Sequence, residues 1–302
     1  MGKKIKIVVC LSSSFHPELP IDIKLNAGRI ETDPKGPVTE AINYSDRCAL
    51  EEALRIKEIN GDVEIITIMS GPPGYQWVLE SCALREIDQA VYLQFSEWDP
   101  MDSYGCSLIL SDFIREVEPD MVLCGDVNRD FESGQVGPIL SELLTIPYVS
   151  RAVGLTLLEG QTTLEVERKL MRGNRLKLRA PLPVVVSVDP AANRPRYISV
   201  HGRIRSNLGS RVTTISIERR EFEAKLNKPI NLIHITSLGP VRLRPKKVAA
   251  PDSTMSAQDR LAFLMGSGKK EPSPEGKQLV EGTIEKQAEI IIEFLKNNLL
   301  LE

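Results

Sequence analysis

Short apolar runs alternate with helix-forming stretches through the first half of the chain, and this alternation constrains the fold more than any other feature. The runs are short and mostly rich in β-branched residues, as is typical of strands buried on both faces: Ile5–Cys10, Val63–Met69, Ala90–Leu93 and Met121–Cys124. Between and after them lie stretches long enough for helices: Asp46–Ile59, Tyr75–Glu86, Ser103–Val117 and Gln135–Leu144. This order predicts an α/β fold, with an open, mostly parallel sheet and helices on both faces.

The first of these helices has a clear amphipathic pattern. Its apolar stripe contains Ala49, Ala53, Leu54 and Ile56. The charged residues between them are expected to face solvent: Glu51, Glu52, Arg55 and Lys57. Asp46 is a candidate N-cap, and Asn60-Gly61 is a candidate stop signal at the other end.

The pattern changes near residue 151. Val153–Leu158 and Thr162–Leu170 flank a Gly-containing turn, and a second turn leads into Arg175–Leu178. Val184–Val188, between two prolines, indicates another buried strand. We therefore predict a β-ribbon insertion at about 151–180, within an α/β domain of residues 1–210.

Residues 211–302 have a different composition. The stretch 266–276 is rich in Lys, Pro, Ser and Gly and makes a poor core. Thr283–Leu300, in contrast, carries a helical apolar stripe. One interpretation is a disordered tail with a frayed helix, and the other is an extended C-terminal arm whose terminal helix docks on a partner subunit. An isolated helix of this length is marginal in water, which favours docking.

Composition excludes several classes of function. With 38 basic and 41 acidic side chains the formal net charge is −3, so no global basic field favours nucleic acid. The longest apolar runs are too short to span a bilayer, and the N-terminus lacks a signal-peptide pattern, so we expect a cytoplasmic protein. Five scattered cysteines and three distant histidines predict no disulfide framework, metal site or hydrolytic triad.

The segment most informative about function is the loop 125–138. It follows the strand Met121–Cys124 and opens a helix, so its backbone N–H groups and the helix dipole can meet a phosphate. Ser133 is a candidate cap, Gly134 permits close approach, and Gln135 can donate to an oxygen. The alternative is an ordinary strand–helix loop, and the spacing matches neither GxGxxG nor a P-loop.

Other polar or glycine-containing segments should lie at the same edge of the sheet: Leu11–Ser14, Asn43–Asp46 and Ser70–Gly74. Each alone is more readily explained as structural. Together they can line one nucleotide crevice, with adenine against backbone edges and phosphates on the Gly134 loop. No general acid–base pair is visible, so the residues alone predict a nucleotide-binding α/β protein with an interaction arm.

At these residues the chain resembles the β subunit of electron transfer flavoproteins. The matching segments occur in order over roughly residues 3–210: Lys6–Cys10, Ile42–Asp46, Ala49–Lys57, Met69–Pro72, Leu123–Gly125, Ser133–Pro138, Glu165–Arg168, Leu182–Val188 and Asn193–Tyr197. The resemblance implies pairing with a larger electron transfer flavoprotein α subunit. It also implies electron transfer between flavins and an acyl-CoA-dehydrogenase-like or other flavin dehydrogenase, by a subunit rather than a stand-alone enzyme.

The resemblance implies an adenine nucleotide in the crevice as well. Conventional members hold AMP there as a structural group, whereas electron-bifurcating members hold a second FAD that exchanges hydride with NADH. The ending Gln135–Pro138 is closer to FAD-holding members. We therefore expect FAD with NADH-linked bifurcation or confurcation. The alternatives are a conventional single-FAD carrier with AMP here and, in another class, a nucleotide-binding regulatory or stress-type protein.

Carried over position by position, the resemblance implies a set of cofactor contacts: Cys10, Leu11, Ser12, Asn43, Tyr44, Ser45, Asp46, Ser70, Gly71, Gly125, Asp126, Asn128, Asp130, Ser133, Gly134, Gln135, Val136 and Gly137. It implies a partner-recognition loop with these residues: Tyr197, Val200, His201, Arg203 and Arg205. The chain departs from the family pattern at 12–17, near a flavin, and at Val200-His201, where members usually carry Leu-Pro. The second departure is explained either by drift or by a different dehydrogenase partner.

Overall fold

A computed structural model describes residues 4–15, 23–26, 29–32, 40–76, 78–79, 87–95, 101–130, 132–158, 160, 162–197, 212–226, 229–233, 255–264, 286–289 and 292. The chain divides into two compact units, Met1–Gly239 and Pro240–Glu302.

The first unit is built on one large sheet. The described strands of this unit, in chain order, are β1 (Ile5–Leu11), β2 (Ser13–Phe15), β3 (Ile23–Asn26), β4 (Arg29–Thr32), β5 (Glu40–Ile42), β6 (Val63–Gly71), β7 (Gln89–Phe95), β8 (Met121–Gly125), β9 (Tyr148–Leu157), β10 (Thr163–Lys169), β11 (Arg175–Pro181), β12 (Val184–Val188) and β13 (Val212–Ile217). Its described helices are α1 (Tyr44–Asn60), α2 (Ser103–Val117), α3 (Val136–Leu144) and α4 (Arg219–Leu226), with a short 3-10 turn at Met171–Gly173.

The sheet is open and mostly parallel. The spatial order of its strands is β11-β10-β9-β12-β8-β1-β6-β7-β13. In this order, every pair of adjacent strands from β9 onward is parallel. Among the described strands of this sheet, the antiparallel pairs are β10 with β9 and β10 with β11. This confirms the predicted fold class.

Both faces of the sheet are covered, as the apolar runs predict. Every residue of β12 is buried, and so is β8 from Met121 to Cys124. Buried residues of α1 pack in the cluster on one face, whereas those of α2 and α3 join a second cluster on the other. The helix predicted at 75–86 is described only at its start, where residues 76 and 78–79 are helical.

Helix α1 corrects two expectations. Its N-cap position is Asn43, and Asp46 lies inside the first turn. Glu51 and Glu52 are buried, with 4% and 3% exposure, instead of facing solvent. Their burial is possible because Asn193 and Arg196, from a distant segment, supply hydrogen bonds to them. The predicted stop is confirmed, since Gly61 has a φ of 75° and donates to the carbonyl of Lys57.

The β-ribbon forms the antiparallel end of the sheet. On its exposed strands, Glu165 and Glu167 face the cations Arg175, Lys177 and Arg179 of β11. Charged side chains on an edge strand discourage edge-to-edge association. Two small antiparallel pairs, β2 with β5 and β3 with β4, lie in the chain between β1 and α1 and were not foreseen.

The chain re-enters the sheet after residue 210. Strand β13 pairs in parallel with β7, and Phe222 and Ile230 are buried in the core beyond it. The first unit therefore continues to Gly239. Docking of a C-terminal arm on a partner subunit stays a prediction.

The second unit contains helix α5 (Ala257–Leu264). Ser256 begins it, since its hydroxyl accepts from the Asp259 backbone N–H at 3.2 Å and donates to the Asp259 carboxylate at 2.6 Å. Residues 286–289 and 292 are helical and fall within the predicted terminal helix, most of which lies outside the described residues. No helix in the described parts of the chain is long and apolar enough to cross a membrane.

Candidate functional site

The strand order reverses at the centre of the sheet. From β1 the chain proceeds to β6 and β7 on one side, and it then returns through α2 to β8 on the other. Crevices in open α/β sheets form outside the carboxyl ends of the strands at such a point. The carboxyl ends of β1 and β8 are followed here by Ser12 and Asp126.

The carboxylate of Asp46 ties this edge together. It accepts hydrogen bonds from the Ser12 backbone N–H at 2.8 Å, the Ser12 hydroxyl at 2.6 Å and the Gly125 N–H at 2.8 Å. One buried side chain thus joins the ends of β1 and β8 to the first turn of α1. Both of its oxygens are engaged within the protein, so Asp46 positions the ends of these two strands.

The surroundings of Asp46 change its acidity. Burial raises the pKa of its carboxyl to about 6, while the hydrogen bonds from Ser12 and Gly125 oppose that rise. The group therefore ionises near pH 6 in the folded chain and near its ordinary 3.8 in the unfolded chain. Its contribution to stability is complete below the unfolded value and is lost as the pH rises through about 6.

Asp46→Asn should remove this pH dependence. The amide also turns a donor toward backbone donors, so the variant should be less stable than wild type at acidic pH. Between about pH 4 and about pH 7.5 the advantage of wild type should shrink by on the order of 2 kcal/mol. Urea unfolding of both proteins across this range measures it.

Asp112→Asn is the matched control, since that carboxylate pairs with Lys225 at an exposed site. Its effect should vary by less than about 0.5 kcal/mol over the same range. If the difference in unfolding free energy between wild type and Asp46→Asn stays constant with pH, the raised pKa of Asp46 is contradicted.

Two asparagines fasten the loop that follows β8. The amide of Asn43 donates to the Val127 carbonyl at 2.9 Å and accepts from the Arg129 N–H at 3.3 Å. Asn128 donates to the Ser12 hydroxyl at 2.9 Å and accepts from the Asp130 N–H at 2.8 Å. The loop is consequently held against both α1 and the end of β1.

A second chain of hydrogen bonds runs toward β9. The Ser187 hydroxyl donates to the Asp126 carboxylate at 3.0 Å and lies 2.9 Å from the Tyr148 hydroxyl. Burial raises the pKa of Tyr148 to about 12, so it remains protonated at neutral pH. The Ser45 hydroxyl accepts from the Asp126 N–H at 2.8 Å and donates to the Val188 carbonyl at 2.9 Å. These contacts fix Asp126 on both sides.

Helix α3 begins without a side-chain cap. Its N-cap position is Gln135, which makes no capping hydrogen bond, so the prediction that Ser133 caps it is wrong. The Ser133 hydroxyl instead lies 2.8 Å from that of Ser103 at the start of α2. Within the described residues, the backbone N–H groups of Gly134–Gly137 have no hydrogen-bond partner. Such a free turn favours an anion.

Gly134 makes this turn possible. Its φ of 59° lies in the left-handed region, and a Cβ there would stand 3.3 Å from the Asp126 carbonyl oxygen. A side chain would therefore be strained and would crowd the loop beside the free amides.

The remaining residues predicted to contact the cofactor differ in how deeply they are buried. Cys10 and Leu11 are buried at the end of β1, and burial raises the pKa of the Cys10 thiol. Ser70 is half-buried at the end of β6. Gly71 allows the Tyr92 hydroxyl to pass and donate to the Pro72 carbonyl at 2.7 Å.

The structure therefore brings the predicted loops to one edge, with Ser12, Asn43, Ser45, Asp46, Gly125, Asp126, Asn128 and Asp130 in one hydrogen-bonded network. Tyr44 is 41% exposed beside it. Among the described residues, no group of His, Cys, Asp and Glu is arranged to hold a metal ion. Of the predicted partner loop, Tyr197 is 94% exposed, while Val200, His201, Arg203 and Arg205 lie outside the described residues.

The segment before Tyr197 is clamped onto α1. Arg196 donates to the buried Glu51 carboxylate at 2.7–3.0 Å from its side chain and at 3.1 Å from its backbone N–H. It also pairs with Glu58, and the bonds to Glu58 and Glu51 raise the pKa of Arg196. Asn193 donates to Glu52 at 2.8 Å and to the Cys48 carbonyl at 3.0 Å. Helix α1 thus contacts both the crevice and this segment.

Glu51→Gln and Glu58→Gln make the same change to the two acids that Arg196 binds. The Glu51 side chain is 5% exposed, so its variant leaves poorly matched buried donors and should cost about 2 kcal/mol of unfolding free energy. The Glu58 side chain is 50% exposed, and its variant should cost less than about 1 kcal/mol. Urea unfolding compares them, and equal losses would show that the buried clamp is not the important one.

Several residues at this edge were not foreseen, namely Arg151, Lys169, Ser187 and Asp189. The Asp189 carboxylate accepts from Lys169 at 2.9 and 3.0 Å and from the Ala191 N–H at 2.9 Å. Arg151 and Lys169 belong to the ribbon region, where charge alternation indicates only an exposed face, whereas Ser187 and Asp189 are buried in and just after β12. Their proximity depends on the register of β9 against β12, which no local pattern reveals.

Comparisons of the sequence with known proteins identify a family and several relatives. The electron transfer flavoprotein domain matches residues 38–217. The chain is 32% identical over 199 residues to the electron transfer flavoprotein subunit beta of Bacillus subtilis (strain 168), covering 66% of this chain and 74% of the relative. It is 26% identical over 292 residues to that subunit of Methylophilus methylotrophus, covering 96% and 98%.

A third relative is the acryloyl-CoA reductase electron transfer subunit gamma of Anaerotignum propionicum. It is 25% identical over 185 residues, covering 58% of this chain and 68% of the relative. The domain match spans more than half of the chain, so the chain belongs to the electron transfer flavoprotein family. The predicted resemblance to its beta subunits is confirmed.

Proposed function

We propose that this chain holds an adenine nucleotide at the carboxyl edge of its sheet and works as one half of an electron-transferring heterodimer. The observation that carries the proposal is the uncapped start of α3, whose first amides have no partner in the described structure. This start lies beside a loop that Asn43 and Asn128 hold in place. A phosphate would satisfy those amides and meet the positive end of the helix dipole.

The surrounding residues suit a ligand bound mainly through backbone groups. The polar atoms of Ser12, Asn43 and Asp46 form hydrogen bonds with one another and with the loops, so they would fix the shape of the crevice before a ligand binds. Pre-organised walls reduce the ordering cost of binding. Burial raises the pKa of the Cys10 and Cys124 thiols, which leaves them poor nucleophiles. The redox chemistry is therefore assigned to the cofactor and its orientation to the chain.

We assign FAD to this site, with structural AMP as the alternative occupant. The relative that serves as an electron transfer subunit of an acryloyl-CoA reductase supports a role in reductase chemistry. NADH would be the transient donor in a bifurcating or confurcating complex. FAD, when bound, would supply the hydride and single-electron chemistry, and the Gly134 turn would hold its phosphates.

The proposed partners are an electron transfer flavoprotein α subunit and a flavin dehydrogenase of the acyl-CoA-dehydrogenase type. Tyr197, exposed at the end of a clamped segment, fits a protein contact, since aromatic residues are enriched in interface cores. We place this activity in the cytoplasm, and the C-terminal arm is assigned to docking on the α subunit.

Co-purification with the α subunit, followed by denaturation and quantification of released nucleotides, tests the proposal. Two FAD per heterodimer support the bifurcating assignment, and one FAD with one AMP supports the conventional carrier. A heterodimer that releases no flavin would overturn both, and a stable monomer that binds ATP without flavin would favour a regulatory nucleotide-binding protein.

A further inference from the structure

Strand β9 is irregular where it approaches the carboxyl edge. Against β12, its pairing advances from Val149 to Ala152 while β12 advances only from Val186 to Val188. Arg151 lies in this extra length of chain and has a φ of 54°, in the left-handed region that non-glycine residues seldom adopt. Bulges of this kind re-aim side chains and recur beside functional sites.

The guanidinium of Arg151 has unused donors. Its Nε lies 3.8 Å from an Asp126 oxygen and 3.7 Å from an Asp189 oxygen, and the side chain is 43% exposed. The backbone N–H of Arg151 donates to the Ser187 hydroxyl at 3.1 Å, whereas its guanidinium donates no hydrogen bond to a described residue. Neither carboxylate depends on it, because Asp189 is held by Lys169 and Asp126 accepts from Ser187. Arg151 thus combines a strained backbone with a partly exposed guanidinium that can still donate hydrogen bonds.

A second cation lies near this position in the sheet. Arg168, which pairs across the strands with Ala152, has a buried Nε without a hydrogen-bond partner in the described structure. Buried polar groups normally have a partner, so an unsatisfied donor next to the bulge is consistent with an anion at this end of the edge.

Asp126 lies between this arginine and the Gly134 turn. Its carbonyl oxygen is 3.3 Å from the position of a Cβ on Gly134, and its carboxylate faces Arg151. A long arginine side chain can reach across one residue toward an anion seated on the first turn of α3. Guanidinium binds phosphate through two parallel hydrogen bonds, which adds geometric selectivity.

We propose that Arg151 binds the second phosphate of a nucleotide in this crevice and so makes the site prefer nucleoside diphosphates over monophosphates. The inference rests on the proposed nucleotide site, in which the first phosphate occupies the α3 turn. Arg151 then determines specificity, since it contacts a group that AMP lacks.

The test compares AMP and ADP binding to the nucleotide-free full chain by calorimetry. Asn tolerates the left-handed region, so Arg151→Asn should fold with wild-type or higher thermal stability. We expect Arg151→Asn to weaken ADP binding about tenfold, as loss of a charge-assisted pair implies, and to change AMP binding less than about twofold. Arg151→Lys should recover part of the loss, because it keeps the charge without the fork.

Lys177→Gln is the control, since this ribbon cation is paired with Glu165 and Glu167. It should change neither affinity. Equal weakening of AMP and ADP in Arg151→Asn, or no change in either, would overturn the assignment to a second phosphate. If wild type binds neither nucleotide, the proposed nucleotide site itself fails and this inference fails with it.

Discussion

Gly125→Ala should destabilise the protein by about 3 kcal/mol. A Cβ at Gly125 would stand 2.2 Å from the Asp46 carboxylate and 2.8 Å from the Asp46 backbone nitrogen. The added methyl group cannot be accommodated unless α1 moves away from β8, which breaks the hydrogen bond that joins them. Urea unfolding measures the loss, and nucleotide retention should fall with it because the crevice wall is displaced.

Gly154→Ala is the matched control for this substitution. Its nearest neighbour would be the Glu167 Cβ at 3.7 Å, an ordinary contact distance, and its backbone does not need a positive φ. This alanine should leave stability unchanged or raise it by up to about 1 kcal/mol, because it restricts the unfolded chain. Similar losses at the two glycines would contradict the special role of the contact between Gly125 and Asp46.

Gly134→Glu should nearly abolish nucleotide retention. The side chain would be strained at a φ of 59°, would crowd the Asp126 carbonyl at 3.3 Å, and would bring a carboxylate to the free amides of α3. That carboxylate competes with a phosphate for the same donors and repels it. We expect retained nucleotide to fall by more than about tenfold, measured by chromatography after denaturation.

Gly160→Glu separates these causes. Gly160 also has a positive φ, 87°, but its Cβ would meet nothing within 4 Å in the hairpin turn after β9. The control therefore adds the same charge and comparable backbone strain away from the crevice. We expect Gly160→Glu to retain the wild-type nucleotide content and Gly134→Glu to lose it. If both variants retain the nucleotide, the phosphate does not bind at the first turn of α3.

Local patterns were sufficient for the central elements of the fold. Val184–Val188 and Ser103–Val117 have the predicted bounds, because buried parallel strands are continuous apolar runs and amphipathic helices have a distinct period. Strand β13 is not predictable in this way. It is mostly exposed and pairs with β7 at the end of the described sheet, so its sequence carries no buried run.

Features that depend on distant residues could not be read in the same way. Glu51 and Glu52 follow the spacing of an exposed helical face, yet they are buried because Asn193 and Arg196 arrive from far along the chain. The loop 125–138, which precedes α3, can be predicted from its order of strand, glycine and helix. The arrangement of Arg151 beside it required the bulge in β9, which arises from pairing between strands.

The location of a bound nucleotide tests the central claim most directly. A crystal structure of the full chain grown with saturating AMP would supply it. We predict phosphate oxygens within about 3.2 Å of the backbone nitrogens at Gly134–Gly137, with the adenosine over the ends of β1 and β8. AMP bound elsewhere on the chain, with those amides unengaged, would contradict the account.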